Sequence, residues 1–186
     1  MRPIRLTMQA FGSYGERTVV DFTLPTQNLF LITGDTGAGK TTVFDAIVFA
    51  LYGEASSGAN RKDGAELQSQ FASPDTTPFV ELLFSEVVGG EALEYTVRRS
   101  PRHRRPVRRG SGFTDEKESV SLTLPDGREY SQNQRETDQK LIEIVGLTKD
   151  QFMQVAMIAQ GEFMVLLRAR SEDRKLIFRK LFGTAL

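Results

Sequence analysis

Apolar and polar residues alternate with period two on both sides of "GSYGE" within residues 4–22. With Gly12, Ser13 and Gly15 offering a turn, the pattern predicts an antiparallel strand pair. A third strand over residues 29–33 leads into a glycine-rich stretch. Beyond it the period changes. Val43, Phe44, Ile47, Val48 and Leu51 recur at helical spacing, which predicts a helix over residues 40–52 packed against the sheet, with Gly53 as a left-handed C-cap.

Residues 54–78 carry Ser, Gly, Asn and Pro with weak periodicity and read as a long connection, with one helical turn around 65–71. "FVELLFSEVV" and "LEYTVRR" around Gly89-Gly90, then "SVSLTLPDGREYS" with its Asp126-Gly127 turn, predict two antiparallel hairpins in an antiparallel β region over about 79–130. From about residue 132 the pattern is helical. One segment runs to Val145, a second opens at Thr148 with Gln151 as a capping box, and a third follows Ser171. The fold class is α/β: a mixed sheet around one central helix, an antiparallel β region and C-terminal helices. With 186 residues, one lobe over 1–186 is the expectation from size.

The stretch between the third strand and the helix, "GDTGAGKTT", fits G-x-x-x-x-G-K-[ST] through Gly34, Gly39, Lys40 and Thr41. Glycine lets backbone N–H groups converge on phosphate oxygens without obstruction, so Gly34, Asp35, Thr36, Gly37, Ala38 and Gly39 form the expected cradle. Lys40 is expected to oppose the β and γ phosphates of ATP, Thr41 to ligate Mg²⁺, and Thr42 to complete the site at the positive end of the helix. A glycine-rich turn that binds nothing is the bland alternative, disfavoured by the strand before it and the amphipathic helix after it.

Composition narrows the remaining chemistry. The chain has no cysteine and one histidine, His103, which excludes disulfides and thiolate sites and argues against histidine-built catalysis. Basic and acidic residues balance at 24 each, so whole-chain charge is silent about partners. No apolar run approaches the ~18 residues of a membrane span. The N-terminus lacks a signal-peptide pattern, and a cytoplasmic protein is the expectation.

Hydrolysis also needs an acid at the end of an apolar strand to help hold Mg²⁺. No such strand is evident. Asp21 follows only two apolar residues, while Glu81 and Glu143 read as strand-face and helix-surface carboxylates. "GGEA" at Gly89 reads as a hairpin turn rather than a partner-subunit signature.

Four stretches together carry a family resemblance: "IRLTMQAFGSY", "GDTGAGKTT" running into "DAIVFALYG", "IAQGEF" and "RKLFGT". The chain resembles the N-terminal ATPase lobe of SbcC, the bacterial DNA-repair ATPase related to SMC proteins and ABC ATPases. The resemblance implies an ABC-type P-loop lobe whose other half, with signature serine, Walker B acid and catalytic glutamate, lies beyond a long antiparallel coiled coil. It implies that Gln160 is the Q-loop glutamine, reaching Mg²⁺ or the attacking water. Head-to-head pairing of two copies, an SbcD-like nuclease partner, DNA, and a bacterial cytoplasmic site of action at the nucleoid are implied in the same way, with ATP hydrolysis belonging to the full assembly and little turnover to this chain alone. A nucleotide contact by Ser13 is implied too, although Gly12 stands where relatives often carry a basic or polar residue.

"RRSPRHRRPVRRG" sets seven arginines within residues 98–109, with two prolines that discourage regular structure. Arg102, Arg104, Arg105, Arg108 and Arg109 are candidate contacts to a DNA backbone, balanced against a merely solvated hairpin tip. Two other function classes stay in view: a self-contained small P-loop kinase or GTPase, which would need its own Mg²⁺ acid, and a transporter ATPase fragment, whose glutamine follows the loop more closely than Gln160 follows Lys40.

Overall fold

The computed structural model describes residues 1–24, 31–55, 67–107 and 111–156, with side chains through 153. Contacts divide the chain after Val145 into two units, Met1–Val145 and Gly146–Leu186. The first contains β1 (Arg2–Gln9), β2 (Thr18–Asp21), α1 (Lys40–Tyr52), β3 (Phe79–Val88), β4 (Glu91–Ser100), β5 (His103–Pro106), β6 (Phe113–Glu116), β7 (Ser119–Thr123) and α2 (Gln134–Val145). The second contains α3 (Lys149–Ala156).

Five strands form one sheet in the order β2-β1-β3-β4-β7, every pair antiparallel. The α/β class stands as read from the sequence. β3 pairs along β1 from Arg2↔Ser85 to Gln9↔Phe79, so the later hairpin extends the first strand pair, while β5 and β6 form a two-stranded sheet of their own. One row shows how the core is assembled. Leu6, Leu82, Val97 and Leu122 are successive cross-strand partners, and each is fully buried. Burial of such a side chain stabilises the fold by about 1.5–3 kcal/mol.

Helices α1 and α2 cover this sheet. α1 contacts β3, β4 and α2, and α2 also contacts β7. The boundaries of α1 agree with the sequence reading, and Gly53 closes the helix in the left-handed region with its N–H donating to the Phe49 carbonyl at 2.8 Å. Asn133 caps α2, its side chain accepting from the Glu136 N–H at 3.0 Å. In the second unit the expected capping box is present: the Thr148 N–H donates to the Gln151 side chain at 2.9 Å.

Two expectations are corrected. Residues 31–33 of the predicted third strand have no strand partner among the described residues, and Leu31 is 85% exposed; Leu29 and Phe30 lie outside the described residues. A strand needs a neighbour to satisfy its backbone, and no described strand runs beside this segment. Conversely, the arginine-rich stretch forms the β5–β6 ribbon despite its prolines. Pro101 falls in the break after β4 and Pro106 ends β5, both positions that need no ladder donor. Of the helical turn predicted around 65–71, residues 67–71 are described: Leu67 is helical, Gln68 forms an isolated bridge with Phe11, and residues 70–71 form a turn; the helix after Ser171 lies outside the described residues.

A candidate nucleotide phosphate site

The glycine-rich segment connects an exposed stretch to the first turn of α1. Residues 34–38 are exposed, Gly39 is buried, and Lys40 opens the helix. A turn is set by the Ala38 N–H donating to the Asp35 carbonyl at 3.1 Å. Gly39 occupies the N-cap position at φ 85° and supplies no side-chain cap, and no acid stands in the first turn. Among the described residues, the N–H groups of that turn therefore have no intrahelical or side-chain capping acceptor, and no acid of the first turn opposes the positive end of the helix. An anion is the natural partner for such a terminus.

Lys40 adds a full charge. Its Nζ donates to the Gly34 and Asp35 carbonyls, both at 2.7 Å, so the ammonium is folded over the loop instead of extending into solvent. Thr41 is exposed beside it, and the Thr42 hydroxyl lies 3.3 Å from that of Ser13. Ser13 thus sits beside the start of α1. The structure brings together Ser13, Gly34, Asp35, Thr36, Gly37, Ala38, Gly39, Lys40, Thr41 and Thr42. Gln160 lies outside the described residues.

Packing explains two of the glycines. A Cβ on Gly39 would lie 3.0 Å from the Ser13 Cβ and 3.2 Å from the Tyr14 ring. One on Gly12, at φ 54°, would lie 2.6 Å from the Thr42 methyl. The turn between β1 and β2 is therefore pressed into the phosphate loop, and the packing of Phe11 on Phe49, centroids 5.4 Å apart, anchors it to α1.

Among the described residues, most arginines of the cluster are paired with acids. Arg98 pairs with Glu81 at 3.0 Å and lies over the Phe79 ring, Arg102 pairs with Asp115 at 2.8 Å, and Arg105 with Glu116 at 2.6 Å. The Arg102 guanidinium holds the Asp115 carboxyl below its usual range. Arg104 rests over Phe113 at 5.3 Å and its backbone is bonded on both sides by the Gln68 amide, at 3.0 and 3.1 Å. Arg108 and Arg109 lie outside the described residues. Arg99 is a core residue, 1% exposed, donating to the Ala50 carbonyl at 3.3 Å and to Asp138 at 2.6 Å. His103 is also buried, its Nδ1 at 2.9 Å from the Pro101 carbonyl. Glu81 and Glu143 are strand-face and helix-surface carboxylates, as expected, and they pair with Arg98 and Lys140.

Sequence reasoning missed Tyr14, Gln68 and Arg99. For Arg99 a signal existed, since it falls in phase with Tyr95 and Val97 on the inward face of β4. Tyr14 and Gln68 act through turns, which leave no period.

A family model described as an AAA domain matches residues 5–186. The chain belongs to the AAA domain family. This AAA domain is 38% identical over its whole length to the C subunit of the nuclease SbcCD of Vibrio cholerae, of which it covers 18%. It is 35% identical, over 99% of its length, to the protein of the same name in Lactococcus lactis, again covering 18%. The resemblance to SbcC carried by four motifs therefore extends along the chain, which spans less than a fifth of the length of these relatives. The SMC head domain from Thermotoga maritima overlaps it with TM-score 0.40 at 21% identity, covering 75% of this chain and 42% of that one. Among the described residues no helix is long and apolar enough to cross a membrane, and no cluster of His, Cys, Asp and Glu is arranged to hold a metal ion.

Proposed function

We propose that this AAA domain is the phosphate-holding half of the ATP site in an SbcC-like ATPase that serves a DNA-processing nuclease complex. The observation that carries the reading is the uncapped N-terminus of α1 with the Lys40 ammonium folded over the adjoining loop. Residues 34–39 would cradle the β and γ phosphates of MgATP, Lys40 would neutralise them, and the Thr41 hydroxyl would hold Mg²⁺. ATP brings the phosphoanhydride bond whose cleavage resets the assembly. Gln160 would position the metal or the attacking water.

The remaining groups for hydrolysis would come from a C-terminal lobe of the same protein and a second copy facing the first. The chain's small share of its relatives' length supports this, and so does apolar surface beside the loop: Leu31 is 85% exposed and Phe44, on α1, 43% exposed. A complementary lobe pairing with residues 31–33 would cover both. ATP between two such heads would favour their closed arrangement, and hydrolysis would release it. An SbcD-like nuclease is the partner the relatives' name supports, and DNA is the substrate such a complex would engage.

Mixing this chain with a separately produced C-terminal lobe and measuring phosphate release tests the proposal. Turnover is expected only from the mixture and is expected to vanish with Lys40→Ala. Substantial Lys40-dependent turnover by the chain alone would refute the half-site reading.

A further inference from the structure

The tight turn of residues 11–14, between β1 and β2, carries no charge and no obvious chemistry, yet each of its four residues meets the glycine-rich loop or the helix that follows it. It is closed by reciprocal backbone bonds, Phe11 N–H to the Tyr14 carbonyl and Tyr14 N–H to the Phe11 carbonyl, both 2.9 Å. It is also tied from outside. The Gly12 N–H donates to the Leu67 carbonyl and the Ser69 N–H to the Ala10 carbonyl, each at 2.8 Å. A turn held on both sides is a rigid abutment.

Against this abutment lies Gly39, the N-cap of α1. The Tyr14 ring crowds the position a Cβ would take, and the Tyr14 hydroxyl donates to the Gly39 carbonyl at 3.4 Å. In a trans peptide the carbonyl oxygen and the following N–H point in opposite directions. A Gly39 carbonyl drawn toward Tyr14 therefore turns the Lys40 N–H away from it. That N–H is one of the unpaired first-turn donors on which anion binding depends.

We infer that Tyr14 is a positioning residue for the phosphate loop, orienting the Gly39–Lys40 peptide so that its N–H faces the bound phosphates. Its ring excludes other placements of Gly39, and its hydroxyl selects the carbonyl's direction. This rests on the nucleotide reading above, because orientation of the Lys40 N–H matters only if a phosphate accepts from it.

The test is a titration of the isotopically labelled chain with MgATP, following backbone amide and carbonyl resonances, for the wild type, Lys40→Ala, Tyr14→Phe and Tyr14→Ala. The wild type is expected to bind in a Lys40-dependent way, with a downfield displacement of the Lys40 amide; absence of such binding would remove the nucleotide reading, and this inference with it. Tyr14→Ala is expected to weaken binding about tenfold, the loss of one good phosphate hydrogen bond, and to abolish the Lys40 displacement while the Val97 and Leu141 amides keep their native positions. Tyr14→Phe is expected to bind about threefold more weakly and to displace the Gly39 carbonyl resonance even without nucleotide, because only the hydroxyl is lost. If Tyr14→Ala does not fold, Tyr14→Phe decides. Folded variants that bind within about a factor of two of the wild type, with unaltered Lys40 and Gly39 resonances, would overturn the inference.

Discussion

Arg99 reaches from β4 to Asp138 on α2, its Nη2 donating at 2.6 Å, and at 1% exposure it occupies the same row of the sheet as Met8 and Val80. A guanidinium in an apolar row persists because Asp138 and the Ala50 carbonyl supply acceptors. The carbonyl belongs to the last turn of α1, so the same side chain also opposes the negative end of that helix.

Asp138→Ala should leave that guanidinium without its counter-charge and destabilise the fold by about 2–3 kcal/mol, below the usual range for broken buried pairs because Asp138 is 33% exposed. Asp138→Asn, which keeps an acceptor oxygen, should cost roughly half as much. Urea midpoints with unchanged slopes would measure both. Equal stability of Asp138→Ala and the wild type would mean that water replaces the carboxylate.

Gly12→Ala should weaken nucleotide binding through a steric route that can be reversed. The new Cβ would fall 2.6 Å from the Thr42 methyl, forcing Thr42 to rotate away from Ser13. Adding Thr42→Ser removes that methyl and should recover most of the lost affinity, leaving only the backbone strain of alanine at φ 54°, about 1 kcal/mol. Failure of the second substitution to rescue would exclude the methyl clash as the cause.

Burial pushes the Tyr52 phenol from 10.0 up to about 12. Below pH 10 the phenol is protonated in both states and its contribution to stability is complete. Between pH 10 and about 12 the unfolded chain releases the proton while the folded chain retains it, so stability falls with pH across that window. Melting temperatures should decline there more steeply for the wild type than for Tyr52→Phe. Absorbance of phenolate should show a late-titrating component that the substitution removes.

If the β5–β6 ribbon meets DNA, its arginines should contribute unequally. Arg102 and Arg105 already face Asp115 and Glu116, so replacing them with alanine should barely alter the salt dependence of binding. Arg104 takes part in none of the ion pairs described above, and Arg108 and Arg109 lie between β5 and β6 in sequence. Replacing these three should flatten the slope by about one for each phosphate no longer neutralised. Titrations at several salt concentrations distinguish these cases, and equal effects from both sets would count against the pairing.

Period and turn chemistry carried much of the fold. The alternation along residues 4–22, the helical recurrence over residues 43–51 and the capping residues Gly53 and Thr148 are local features, and local sequence determines them. What escaped depended on partners distant in the chain. Residues 31–33 have strand composition but no described strand beside them, and β3 continues β1 rather than opening a separate layer. The glycine-rich loop was legible because its pattern is written in contiguous residues. Tyr14 was not, since its role comes from the fold placing its ring against Gly39. The pairing of the arginine cluster was not legible either, because a run of like charge conceals acids supplied by Glu81, Asp115, Glu116 and Asp138.

Gln68 presents its side-chain amide to the backbone of Arg104 as a neighbouring strand would, donating to the carbonyl and accepting from the N–H. A two-stranded ribbon offers unpaired backbone edges that invite other chains to add to it. One glutamine side chain closes the outer edge of β5 at its centre. Unwanted sheet extension is thereby blocked without adding a strand, and Gln68→Ala should make the ribbon a seed for self-association, measurable as concentration-dependent growth in light scattering.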